Sequence, residues 1–117
     1  QQQQQQQPTI RVVTYNILAE HYANTTYAMN VMFKHCPAQW LDSVYRQQLV
    51  NREVVDYGAD LYALQEVSVH ALNRYFCAHW APLGFDWKFK QKTGKALDGC
   101  VLLWKTAVFR LVHYEEV

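Results

Sequence analysis

Two short apolar runs constrain the fold more than anything else in the chain. Arg11–Leu18 reads Arg-Val-Val-Thr-Tyr-Asn-Ile-Leu, and Ala59–Val67 reads Ala-Asp-Leu-Tyr-Ala-Leu-Gln-Glu-Val. Each is almost continuously apolar and reaches a polar residue at its end, Asn16 in the first and Glu66 in the second. Apolar residues on both alternating faces suit a strand buried on both sides of a sheet. A helix between them makes the pair a crossover unit, which sets the strands parallel and brings their carboxyl ends to one edge. Open α/β sheets commonly bind ligands at that edge.

The intervening helix is predicted over Gln39–Tyr57. Leu41, Tyr45 and Leu49 fall four apart, and Val50, Val54 and Tyr57 continue the apolar face. Gly58 stands where a left-handed terminating residue belongs. The strands are expected at Ile10–Leu18 and from Asp60. A weaker helix is expected within Ala19–Pro37, from the spacing of Tyr22, Met29 and Phe33.

After Glu66, Ser68 is an N-cap candidate for a helix that buries Val69, Leu72 and Phe76. Pro82 and Gly84 end that helix. Phe85, Trp87 and Phe89 alternate with Asp86, Lys88 and Lys90, a strand covered on one face. A loop carrying Gly94 follows. Two further strands are expected at Gly99–Trp104 and Val108–Tyr114, joined as a hairpin through Lys105-Thr106-Ala107. A chain stopping on that strand exposes an unblunted sheet edge, so more protein is expected beyond it, and poor solubility without it.

At 117 residues, 50% hydrophobic and rich in Trp, Tyr and Phe, the chain can bury one core but not two. Gln1–Gln7 with Pro8 cannot order itself by burial, which makes residues 1–8 a low-complexity, disordered tail and 9–117 the domain. A net charge of +1 advertises no nucleic-acid partner by field alone, and Lys88, Lys90, Lys92 and Lys95 read as a solvated surface. Cys36, Cys77 and Cys100 are too widely spaced for a zinc site or a disulfide framework. Reduced thiols fit an intracellular, most naturally cytoplasmic protein, with nucleus and mitochondrion left open. No apolar run has the roughly twenty residues that span a bilayer.

Alone, an asparagine at a strand end is a turn or capping residue, and a glutamate there is solvated. Together, at the same end of adjacent strands, Asn16 and Glu66 are candidate site residues. The five histidines, His21, His35, His70, His79 and His113, read as surface or packing residues.

Thr14-Tyr15-Asn16-Ile17-Leu18-Ala19, the Ala59-Asp60-Leu61 to Leu64-Gln65-Glu66-Val67 stretch and Asp98-Gly99-Cys100-Val101 resemble the exonuclease–endonuclease–phosphatase superfamily. Cys36-Pro37-Ala38 and Tyr45-Arg46 also resemble elements of its deadenylase and 2′-phosphodiesterase-like branch. The resemblance runs from about Ile10 to Tyr114. It implies an α/β fold, the amino-terminal part of a four-layer α/β/β/α sandwich. It implies a magnesium-dependent phosphodiesterase (manganese being an alternative) that removes nucleotides from RNA 3′ ends, poly(A) foremost. Glu66 matches the metal-binding glutamate and Asn16 the asparagine beside it.

Magnesium suits one or two carboxylates plus waters and phosphate oxygens. An uncharged asparagine can orient Glu66 or donate to a phosphate oxygen without repelling it. Asp98 is not expected to be a ligand, and Gly99 and Cys100 are expected to allow close strand packing. The family's Asp-x-Asn and Ser-Asp-His elements, which position and activate the attacking water, are absent from these 117 residues, so the chain alone is expected to be inactive. Other readings stay open: a 2′,5′-oligoadenylate phosphodiesterase, a nocturnin-like dinucleotide phosphatase, or a non-catalytic module kept for protein or RNA contacts.

Overall fold

The structure is a computed structural model that describes residues 7–117. The glutamine tail expected to be disordered lies almost wholly outside the described residues.

Four strands form one sheet in the order β1-β2-β4-β3. These are β1 (Val12–Asn16), β2 (Leu61–Ser68), β3 (Phe85–Gln91) and β4 (Asp98–Lys105). β1 and β2 are parallel, as the crossover argument requires, while β4 runs antiparallel to both β2 and β3. The crossover is α2 (Ser43–Asp56), capped by the Asp42 side chain, which accepts from Tyr45 N. A 3-10 turn over Ala38–Leu41 precedes it, so the predicted helix is two pieces broken at Asp42. Gly58 has φ +58°, the left-handed conformation its position demands.

Helices pack on one face of the sheet. Tyr62, Leu64, Val67, Val101 and Leu103 from the strands meet Val54, Leu72, Phe76 and Trp80 from the helices. Ser68 caps α3 (Val69–Ala71) by accepting from Ala71 N. The helix continues through a π-turn (Leu72–Phe76), α4 (Cys77–Trp80) and a 3-10 turn (Ala81–Leu83), then stops at Gly84, φ +83°. Leu72 and Phe76 are buried as expected, but Val69 is only partly so.

The buried stripe of α2 is not the one its apolar spacing indicates. Tyr45 and Leu49 are 42% and 44% exposed. Facing inward instead are Arg46, Gln47, Val50, Asn51 and Val54. The polar members are tolerated because each has a partner. Arg46 donates to the Leu18 and Ile17 carbonyls (2.9 and 2.8 Å), Gln47 to Glu20 (3.2 Å), and Asn51 accepts from Trp80 Nε1 (3.0 Å).

α2 is tied to β1 once more through Glu53, whose carboxylate accepts from the Tyr15 and Tyr57 hydroxyls at 2.7 Å each. Burial and the bond to Glu53 push the Tyr15 phenol up to about 12, and the two phenols hold Glu53 below the ordinary carboxylate range.

The strand expected at Val108–Tyr114 does not form. β4 already has β2 on one side and β3 on the other, so neither edge of it is free for a hairpin partner. The chain turns at Lys105, whose carbonyl accepts from Val108 N and Phe109 N. Residues 109–117 then cross the sheet face opposite the helices, where Lys88 stands over the Tyr114 ring and Lys90 pairs with Glu116 at 3.0 Å. Among the described residues the open sheet edges are therefore β1 and β3. Cys100 lies exposed on that outer face, and Gly99 allows a close approach to β3. Among the described residues no helix is long and apolar enough to cross a membrane.

Candidate functional site

The rim of the sheet collects the carboxyl ends of β1 and β2 and the amino end of β4. Asn16 pairs with Gln65, and Ser68 with Asp98. Ile17 N donates to the Gln65 carbonyl (3.0 Å), so β1 stays paired to its last residue. Asn16 and Glu66 are thus diagonal neighbours on adjacent strands. Between Leu64 and Val67 the β2–β4 register shifts by a bulge, with Glu66 at φ +56°. Bulges re-aim side chains and concentrate beside active sites. A left-handed non-glycine residue costs roughly 1–2 kcal/mol, and such strain clusters at functional sites. Leu18, facing it from the β1 exit loop, has φ +55°.

The two side chains are used differently. Asn16 Oδ1 accepts from Leu18 N at 3.0 Å. A backbone N–H can only donate, so the amide oxygen faces Leu18 and the Nδ2 protons are left for another acceptor. Among the described residues the Glu66 carboxylate makes no hydrogen bond and no ion pair, and no hydrogen bond joins it to Asn16. It lines a small cavity with Ile17, Glu20 and Arg46, and an open cleft with Leu18, Tyr22 and Tyr27.

A free carboxylate at a sheet rim fits one magnesium ligand. Among the described residues no three His, Cys, Asp or Glu side chains cluster to cage a metal. A lone carboxylate suits an ion that keeps its waters, and does not suit structural zinc or an oxygen-rich calcium cage.

Two residues that the motifs leave without a role support this rim. Arg46 clamps the β1 exit loop through two carbonyls, a fork that lysine cannot copy; burial lowers its pKa from the ordinary value. Glu20 accepts from Ser68 Oγ and Gln47 Nε2, each at 3.2 Å, joining β2 to α2. No periodicity marks Glu20, because it follows the strand end in a stretch with no regular pattern.

Asp98 is 0% exposed, an unusual place for a carboxylate. The Tyr22 hydroxyl donates to Oδ1 (2.9 Å), His21 Nε2 lies 3.3 Å from the same oxygen, and Lys92 Nζ is 3.1 Å from Oδ2. The Lys92 contact has the distance of an ion pair without the alignment of a hydrogen bond, which leaves Oδ2 a buried acceptor with no hydrogen bond. So His21 and Lys92 are not merely surface groups: they fasten α1 (Glu20–Ala23) and the β3–β4 loop to the start of β4.

Burial alone would raise the Asp98 pKa. The Tyr22, Lys92 and His21 contacts outweigh it and hold the group below the ordinary aspartate value. A depressed carboxylate contributes stability that is complete above its unfolded pKa, about 4, and is lost as pH falls through the folded value. Thermal melts from pH 7 to pH 3 should therefore show a shallower acid limb for Asp98→Asn than for the parent. Parallel limbs would remove Asp98 from the account.

No family model matches the chain. It is 32% identical over 108 residues to 2′,5′-phosphodiesterase 12 of Mus musculus, covering 92% of this chain and 17% of that protein. It is 33% identical over 116 residues to carbon catabolite repressor protein 4 homolog 1 of Arabidopsis thaliana, covering 93% of this chain and 18% of that protein. The structure superimposes on ANGEL2, a 2′,3′-cyclic phosphatase, with a TM-score of 0.77 and 26% identity, over 84% of this chain and 27% of that one. ANGEL2 has also been solved in complex with adenosine-2′,3′-vanadate. The chain thus spans less than a fifth of the length of these two curated relatives. With its mixed sheet, its strand-end motifs and these likenesses, the chain belongs to the DNase I-like exonuclease–endonuclease–phosphatase superfamily, in the deadenylase and 2′,5′-phosphodiesterase branch, and spans part of that family's domain.

Proposed function

We propose that the whole protein is a metal-dependent phosphodiesterase that releases nucleotides from RNA 3′ ends, with poly(A) or oligoadenylate as substrate. The observation that carries this is the Glu66 carboxylate, turned out of the strand by a bulge and left without a partner among the described residues. Glu66 would hold magnesium, with manganese as a substitute. When bound, the ion would draw charge from the phosphate oxygens. Asn16, its oxygen engaged by Leu18, would donate from Nδ2 to a phosphate oxygen. Arg46 and Glu20 hold the loop and strand that carry these two residues. The water-activating Asp-x-Asn and Ser-Asp-His elements are not in this sequence, so the 117 residues alone should be inactive.

Likeness to a 2′,5′-phosphodiesterase favours a second linkage specificity. Assaying the full-length protein on 3′,5′- and 2′,5′-oligoadenylates and a nicotinamide dinucleotide phosphate separates the readings. Magnesium-dependent release of AMP from either oligoadenylate, abolished by chelation, is expected. Hydrolysis of the dinucleotide phosphate alone would move the protein to the phosphatase reading. Hydrolysis of none would favour a non-catalytic module. A cytoplasmic location is proposed with this function.

A further inference from the structure

The cleft beside Glu66 has more structure than a metal ligand requires. It measures about 320 Å³ and is lined by Leu18, Tyr22, Thr25, Tyr27, Met32 and Glu66. That volume lies at the lower end for small-molecule sites. Glu66 is the one charged side chain in the lining; the other walls are apolar, aromatic or hydroxyl-bearing.

Tyr22 is a fixed wall. Its hydroxyl is committed to Asp98, its ring lies 4.2 Å from the His21 ring, and Lys92 Nζ stands 5.7 Å from its centroid. Tyr27 and Met32 differ, at 63% and 58% exposed: Tyr27 caps the π-turn Ala28–Met32 and Met32 is its last residue. Among the described residues Tyr27 makes no side-chain hydrogen bond and no ring–ring contact. Packing among the described residues therefore gives no account of an aromatic ring and a thioether held at the mouth of this cleft. Thr25 Oγ1 accepts from Ala28 N at 3.0 Å, so its own proton remains available to a ligand acceptor.

We infer that this cleft is a nucleobase subsite, in which the terminal base lies against Tyr27 and Met32 with Tyr22 behind and Thr25 at its edge. The flat neutral part of a nucleotide fits the uncharged walls, and its phosphate, which a bare carboxylate would repel, would sit at the Glu66 end through the cation proposed there. Single-stranded bases are commonly held by stacking on exposed aromatic rings. The inference rests on the role given to Glu66 above and adds how the substrate is recognised.

Tyr27→Ala and Tyr27→Phe in the full-length protein test it, with thermal melts alongside to show that both variants keep the parent fold; Tyr27 is 63% exposed among the described residues. Binding of AMP and of ribose 5-phosphate is measured by calorimetry, which needs no turnover. KM and kcat are measured on oligoadenylates ending in adenosine or in an abasic residue. Tyr27→Ala should weaken AMP at least about fivefold, leave ribose 5-phosphate unchanged, and raise KM for the adenosine end only. Tyr27→Phe should keep parental AMP affinity, since the ring and not the hydroxyl makes the contact. Equal losses for AMP and ribose 5-phosphate, or no loss at all, would overturn the subsite. AMP binding through Tyr27 without any hydrolysis would keep the subsite and discard the nuclease reading. Hydrolysis equally affected at both ends would do the reverse.

Discussion

Glu66→Gln in the full-length protein is expected to lower kcat/KM by about a hundredfold to a thousandfold, with no loss of stability. The carboxylate touches no protein partner among the described residues, so the isosteric amide breaks no contact and only weakens metal binding. Glu66→Gly is the more discriminating change. At φ +56° glycine relieves the left-handed strain, worth about 1 kcal/mol, and should raise the melting temperature while activity falls as far as in Glu66→Gln. A stability gain coupled to a loss of activity would mark a position where backbone strain is retained for function. A Glu66→Gln enzyme near parental rate, or a Glu66→Gly protein less stable than the parent, would contradict this.

Gly99→Ala is expected to be the most destabilising single-methyl change. A Cβ there would lie 2.1 Å from the Lys90 carbonyl oxygen and 2.7 Å from Gln91 Cα, both backbone atoms of β3. No rotamer change relieves a clash with backbone, so β3 must separate from β4 at the Gly99–Gln91 pair. Overpacking of this kind costs about 3 kcal/mol or more. The same movement shifts Asp98, one residue away, so the α1 anchor loosens with it. Urea denaturation checks the cost; a loss under about 1 kcal/mol would show that the strands part freely.

The parallel pairing of β1 and β2 was legible in the sequence because two apolar runs separated by a helix leave few topologies. Gly58 and Ser68 were legible because left-handed termination and side-chain capping have few residue solutions. The face of α2 was not. Arg46, Gln47 and Asn51 count as polar in any periodicity, and only their distant partners, Leu18, Glu20 and Trp80, make burial acceptable. Asp98 belongs to a legible motif, but its burial depends on Tyr22 and His21, far off in sequence, and on Lys92 across the β3–β4 loop, none of which any local pattern links to it. The misplaced strand after Lys105 has a topological cause: β-propensity is local, whereas occupancy of both β4 edges is a property of the whole sheet. The bulge that turns Glu66 outward had no sequence signal, since neither Gln65 nor Glu66 is a residue that favours positive φ.

Glu66, presented beside Asn16 at the sheet rim, is the proposed metal ligand. The most direct test of that role is an anomalous difference map from crystals of the full-length protein grown with manganese. The account predicts a peak at metal–oxygen bonding distance, about 2.1 Å, from a Glu66 carboxylate oxygen, with Asn16 on the same rim. A fully occupied manganese site elsewhere in the domain, with Glu66 unligated, would contradict it.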